Sequence, residues 1–139
     1  MGGDRMQLKQ VPKTPLLAAA VLLLGFLAGC GQSKVKLGWV ASNRPGYFEA
    51  KYTTFSGSEV RPVRADAEGM LVIEYDAVVN KGTLAIRVEG PADETLWVVS
   101  LDRDTEDAMA LPIERDGRYA IVVRGDGTGG SFDLSWEVE

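Results

Sequence analysis

The chain has 139 residues, room for one ordinary domain, with 15 Lys and Arg against 20 Asp and Glu, one cysteine and no histidine. Without histidine, Ser-His-Asp and Cys-His catalysis are excluded, and so are the usual zinc sites built from His and Cys. The acidic balance argues against nucleic acid as a partner, because a phosphate backbone selects cationic surfaces.

The first thirty residues differ from the rest. Asp4, Arg5, Lys9 and Lys13 make a short, net-positive start, and Met6 would serve equally well as the first residue. A run of 14 uncharged residues follows, Leu16 to Gly29. As a helix it is about 21 Å long, too short for a hydrocarbon core of roughly 30 Å. A positive start, a short apolar stretch and small residues at its end form a secretory signal rather than a membrane-spanning anchor. Leu27-Ala28-Gly29-Cys30 resembles the lipobox of bacterial lipoproteins. That resemblance, confined to residues 1–31, implies diacylglycerol on the Cys30 thiol and cleavage just before it. It places the protein on the extracytoplasmic side of the cell membrane or outer membrane. Gly31, where an Asp would signal inner-membrane retention, implies none. Cys30 is the only cysteine, so no disulfide can form within the chain, and lipidation would consume the thiol. Two acyl chains give a stable anchor where one holds only marginally. The expected organisation is a signal-peptide helix over 1–29, a lipidated cysteine and tether over 30–36, and a domain over 37–139.

Arg5, Lys9, Lys13 and Asp4 belong to the signal, so residues 31–139 hold 12 cationic and 19 acidic side chains, a net charge of −7. Such a domain stays soluble, and its net charge argues against broad adhesion to anionic lipid. Only Gly31-Gln32-Ser33-Lys34 separates Cys30 from the first strand-like residues, a reach of at most about 15 Å. The domain is thus expected to ride close to the membrane.

In chain order, Asn43-Arg44-Pro45-Gly46 reads as a turn, and Phe48, Ala50 and Tyr52 as one face of a strand. Pro62 makes Val60–Arg64 an edge strand or extended loop. Leu71, Ile73, Tyr75 and Ala77 share one parity, and Asn80-Lys81-Gly82 reads as a turn into Leu84, Ile86 and Val88. Gly90-Pro91-Ala92-Asp93 breaks the pattern, then Trp97, Val99 and Leu101 resume it. Tyr119, Ile121 and Val123 alternate with Arg118, Ala120, Val122 and Arg124, and Phe132, Leu134, Trp136 and Val138 with Ser131, Asp133, Ser135 and Glu137. Period-2 alternation marks strands with one buried face. Gly125-Asp126-Gly127-Thr128-Gly129-Gly130 then reads as the loop of a hairpin, with Arg118 and Glu137 within pairing reach. The expected fold is all-β, a single small antiparallel β-sandwich of about seven to nine short strands. The C-terminal segment also resembles the hairpin ending small sandwich domains of bacterial secreted proteins, such as the pre-peptidase C-terminal type; this implies no activity.

The remaining motifs have plain explanations. Gly125 to Gly130 matches GxGxxG but leads into a strand, where a dinucleotide site needs a helix N-terminus. Arg124-Gly125-Asp126 is a three-residue match to an adhesion motif, and a match that short has little specificity. Asp102 to Asp107 is an acidic cluster without the Gly and Glu of an EF-hand, leaving a loose calcium site from Asp102, Asp104 and Asp107 against a solvated loop. Glu74 and Asp76 form a carboxylate pair with outward parity, the basis of a carboxylate-hydrolase reading. No cofactor or metal is assigned. The leading expectation is a non-enzymatic, membrane-anchored binding or accessory domain contacting an envelope protein. The alternative is a carbohydrate-binding module for wall or surface glycan, using Trp39, Tyr47 and Phe55, the aromatics least fixed by core parity.

Overall fold

The computed structural model describes residues 34–139; the expected signal-peptide helix and Cys30 lie outside them. Seven strands follow one another: β1 (Val35–Leu37), β2 (Val40–Arg44), β3 (Tyr47–Ala65), β4 (Met70–Glu89), β5 (Thr95–Leu101), β6 (Thr105–Pro112) and β7 (Gly117–Val138). All pairings are antiparallel, with β7 central between β3 and β4.

Three of these strands are long, with 19, 20 and 22 residues in β3, β4 and β7. Each passes through both layers of the sandwich. In layer one the order is β2, β3 (47–52), β7 (130–138), β4 (70–79) and β6. In layer two it is β1, β3 (54–65), β7 (117–128), β4 (83–89) and β5. The register shifts near Phe55 and Lys81, where the three strands bend side by side.

Two expected turns are therefore corrected. Gly125–Gly130 does not reverse the chain into a hairpin; it is the bend inside β7. Asn80-Lys81-Gly82 is likewise the bend inside β4. The physical reason is close approach: a Cβ on Gly125 would strike the Phe55 ring, and one on Gly130 the Val78 carbonyl oxygen. Gly125, Gly129 and Gly130 are small because neighbouring strands cross the corner with them, whereas Gly127 serves a left-handed backbone with open space around it. Arg118 accordingly stands opposite Arg64, and Glu137 opposite Val72 in the other layer, so the two do not pair.

The inward parity follows the alternation read from the sequence. Phe48, Ala50, Tyr52, Leu71, Ile73, Tyr75, Ala77, Leu84, Ile86, Val88, Leu101, Tyr119, Ile121, Val123, Phe132 and Leu134 are all buried in one cluster. Trp97, Val99 and Trp136 pack half-buried at its margin. Pro62 donates no backbone hydrogen bond, and β1 pairs β3 only at Thr54–Ser56, so beyond it this side of β3 is an edge among the described residues. The turn at Pro45-Gly46 and the break at Gly90–Asp93 fall between strands, as read.

Candidate functional site

The outer face of layer one concentrates carboxylates. Phe48, Ala50, Phe132 and Leu134 point inward, so Glu49 and Asp133 point out, and the pairing places Glu49, Asp133, Asp76 and Glu106 side by side across β3, β7, β4 and β6. Opposed residues in a ladder hold their Cβ atoms about 4.5–5.5 Å apart, and like charges so placed are unfavourable. The next row runs Arg44, Tyr47, Ser135, Glu74 and Ala108. Part of the face is an open depression of about 570 Å³ whose lining includes Glu74, Asp76, Glu106, Asp133 and Ser135. Among the described residues, none of these carboxylates forms an ion pair.

Tyr47 borders the row. Its hydroxyl donates to Glu49 Oε2 at 2.7 Å, and the Arg44 guanidinium lies 4.3 Å from its ring centroid. The hydrogen bond to Glu49, together with loss of water and the charge of Asp133, pushes the phenol up to about 12. The tyrosine is held neutral as a donor beside acceptors.

The aromatics read as a glycan platform do not form one. Phe55 is 0% exposed, a core residue with no face open to a ligand. Trp39 covers it at 5.0 Å between ring centroids and also contacts Tyr52 and Phe132, closing the sandwich margin beneath Lys36. Tyr47 stands apart on the outer face of layer one. A different aromatic borders an opening: Trp136 lines a cleft of about 600 Å³ with Asn43, Arg44, Pro45 and Arg61.

Glu74 and Asp76 do face outward and are exposed. Sequence reasoning missed their neighbours Glu49, Glu106 and Asp133. Only the outward parity of each was available as a signal, with nothing to place them in one row. The Asp102–Asp107 cluster is drawn into local contacts. Asp104 accepts from the Val79 N–H at 2.9 Å, Asp107 from the Ala108 N–H at 2.8 Å, and Asp102 pairs with Arg103 at 3.0 Å. Among the described residues no three acidic side chains converge as a metal site.

Asp133→Asn should stabilise the fold, by less than about 1 kcal/mol, since it relieves repulsion from both Glu49 and Asp76. Urea denaturation at low salt reads this, and the gain should shrink as salt screens the row. An unchanged or lower midpoint at low salt would show that the carboxylates do not oppose one another.

No family model and no curated protein matches the chain. Solved structures of similar architecture include TmCBM61 in complex with β-1,4-galactotriose, 14% identical over 73% of this chain and 89% of that one, TM-score 0.48. PliG from Aeromonas hydrophila, a periplasmic inhibitor of g-type lysozyme, is 14% identical over 72% and 89%, TM-score 0.46. The C-terminal CBM6 of LamC from Zobellia galactanivorans is 17% identical over 78% and 91%, TM-score 0.44. No residue role transfers from these likenesses.

Proposed function

We propose that this is a lipid-anchored, non-enzymatic binding domain of the cell envelope that presents the outer face of layer one to a basic segment of a partner protein. The observation carrying this reading is the row Glu49, Asp133, Asp76 and Glu106, four carboxylates from four strands with no ion-pair partner among the described residues. A surface that keeps like charges side by side gives up some stability, and a cationic partner would offset that on binding. Electrostatic complementarity of this kind chiefly sets specificity and association rate. The outward, open arrangement suits contact better than chemistry, since among the described residues no enclosed pocket separates these carboxylates from water.

A photo-crosslinking residue at Ala108, in intact cells, tests this. It should yield a discrete protein adduct that is lost in Asp76→Asn with Asp133→Asn. No adduct, or one indifferent to neutralisation, would sink the reading. A second reading, wall or surface glycan as ligand, draws on Trp136, whose half-open indole beside Asn43 and Arg44 offers a ring to stack on and groups to hydrogen-bond hydroxyls. A glycan panel that leaves tryptophan fluorescence unchanged removes it.

A further inference from the structure

The two outer faces carry opposite charge. Layer one shows Glu49, Glu74, Asp76, Glu106, Asp133 and Glu137 against Arg44 and Lys51. Layer two shows Arg64, Arg87, Arg118 and Arg124 against Glu89 and Asp126. Only Arg87 of these arginines has a carboxylate partner among the described residues, Glu89 at 3.4 Å. Arg64 and Arg118 stand directly opposite each other, which is unfavourable unless an anion lies against them.

The same face exposes apolar side chains. Val60 is 52%, Val98 58% and Leu96 39% exposed, and Leu37 projects from β1 at the edge of the same layer. The described chain enters the fold through β1, and only four residues separate Val35 from Cys30.

We infer that the arginine-rich outer face of layer two lies on the anionic lipid surface in which Cys30 is anchored; this rests on the lipid anchoring proposed above. The net charge of −7 over residues 31–139 does not oppose it, because the charges are segregated. Attraction to a charged surface is decided within a Debye length, about 8–10 Å at ordinary salt. Packed layers are already about 10 Å apart, so the acidic face lies beyond that range from the lipid. Arginines meet lipid phosphates while Val60, Val98 and Leu96 enter the headgroup region, the combination that holds amphipathic surfaces at membranes. The short tether brings the β1 edge to the surface first. The consequence is orientation: the carboxylate row faces away from the bilayer.

The test uses the full lipidated chain reconstituted in vesicles of phosphatidylglycerol with phosphatidylcholine, or of phosphatidylcholine alone. Ser100→Cys reports the layer-two face and Ala108→Cys the layer-one face, each treated with a membrane-impermeant maleimide. In anionic vesicles Ser100→Cys should label about fivefold more slowly or less, relative to Ala108→Cys. The protection should vanish in high salt, in phosphatidylcholine, and with Arg64→Glu, Arg118→Glu and Arg124→Glu combined. Equal labelling of both faces in anionic vesicles overturns the orientation. Protection that survives in detergent and grows with protein concentration overturns it too, because a second copy's acidic face would then be the cover. Intact mass and fractionation of wild type and Cys30→Ala read the anchor separately. An unlipidated Cys30 overturns the anchoring, whereas a lipidated chain with equal labelling overturns the orientation alone.

Discussion

Gly130→Ala is expected to destabilise the domain by roughly 2–5 kcal/mol, combining a strained backbone with a steric collision. Gly130 has φ of 133°, a region L side chains rarely adopt. Its added Cβ would meet the carbonyl oxygen of Val78, which the β4–β7 ladder holds in place through Val78–Ser131 and Val79–Gly130. Neither strand can yield without breaking register at the corner. Gly127→Ala is the matched control: φ is 57°, but a Cβ there meets nothing within 4 Å. It should cost only about 1–2 kcal/mol, the penalty of the left-handed conformation alone. Urea denaturation of both variants decides the point. Equal effects would mean that the strands do not crowd at Gly130, and that Gly125–Gly130 has the freedom of a loop.

Phe132→Ala is expected to cost about 3–5 kcal/mol, the loss of a large buried ring plus the cavity left behind. Phe132 is 2% exposed and meets Phe48 edge to face at 5.0 Å, Tyr52 at 6.0 Å and Trp39 at 6.4 Å between centroids. It lies just beyond the bend of β7, so its removal loosens the corner and the interior together. Against a total stability of about 5–15 kcal/mol for an ordinary domain, this approaches the threshold of unfolding. Phe132→Leu should recover most of the loss, since much of the volume returns. A fall of less than about 1 kcal/mol for the alanine variant would contradict the packing described.

Phe132 and Gly130 mark where the sequence is legible and where it stops being so. Phe132, Leu134 and Trp136 announce their face through alternation, and the structure buries or half-buries each one. Gly130 announces only that a side chain is not tolerated there. A glycine-rich run is compatible with a reversal, where positive φ is the need, and with a bend, where close approach is the need. Nothing local separates the two. The consequence reached Arg118, expected opposite Glu137 and found opposite Arg64.

The candidate site divides in the same way. That Glu74 and Asp76 face outward was readable from Leu71, Ile73 and Tyr75 beside them. That Glu49, Asp133 and Glu106 join them was not, because these come from strands far apart in the chain, 57 positions between Glu49 and Glu106 and 84 between Glu49 and Asp133. Their meeting depends on register, and a slip of one residue would turn a strand's carboxylate to the other face. Phe55 shows the converse. With no clear alternation around it, it passed for a surface aromatic, yet Trp39 and Tyr52 enclose it beside the bend of β3.

The sequence by itself determined the all-β class, the buried face of β4, β5, β7 and the first part of β3, the edge at Pro62 and the exclusion of histidine-based chemistry. These follow from composition and from a side-chain period that each strand carries locally. Only the tertiary structure decided that three strands bend through both layers, that four distant carboxylates form one row, and that arginines and carboxylates occupy opposite faces. Those properties depend on which strands pair and in what register, and pairing is fixed by long-range packing rather than by any one segment.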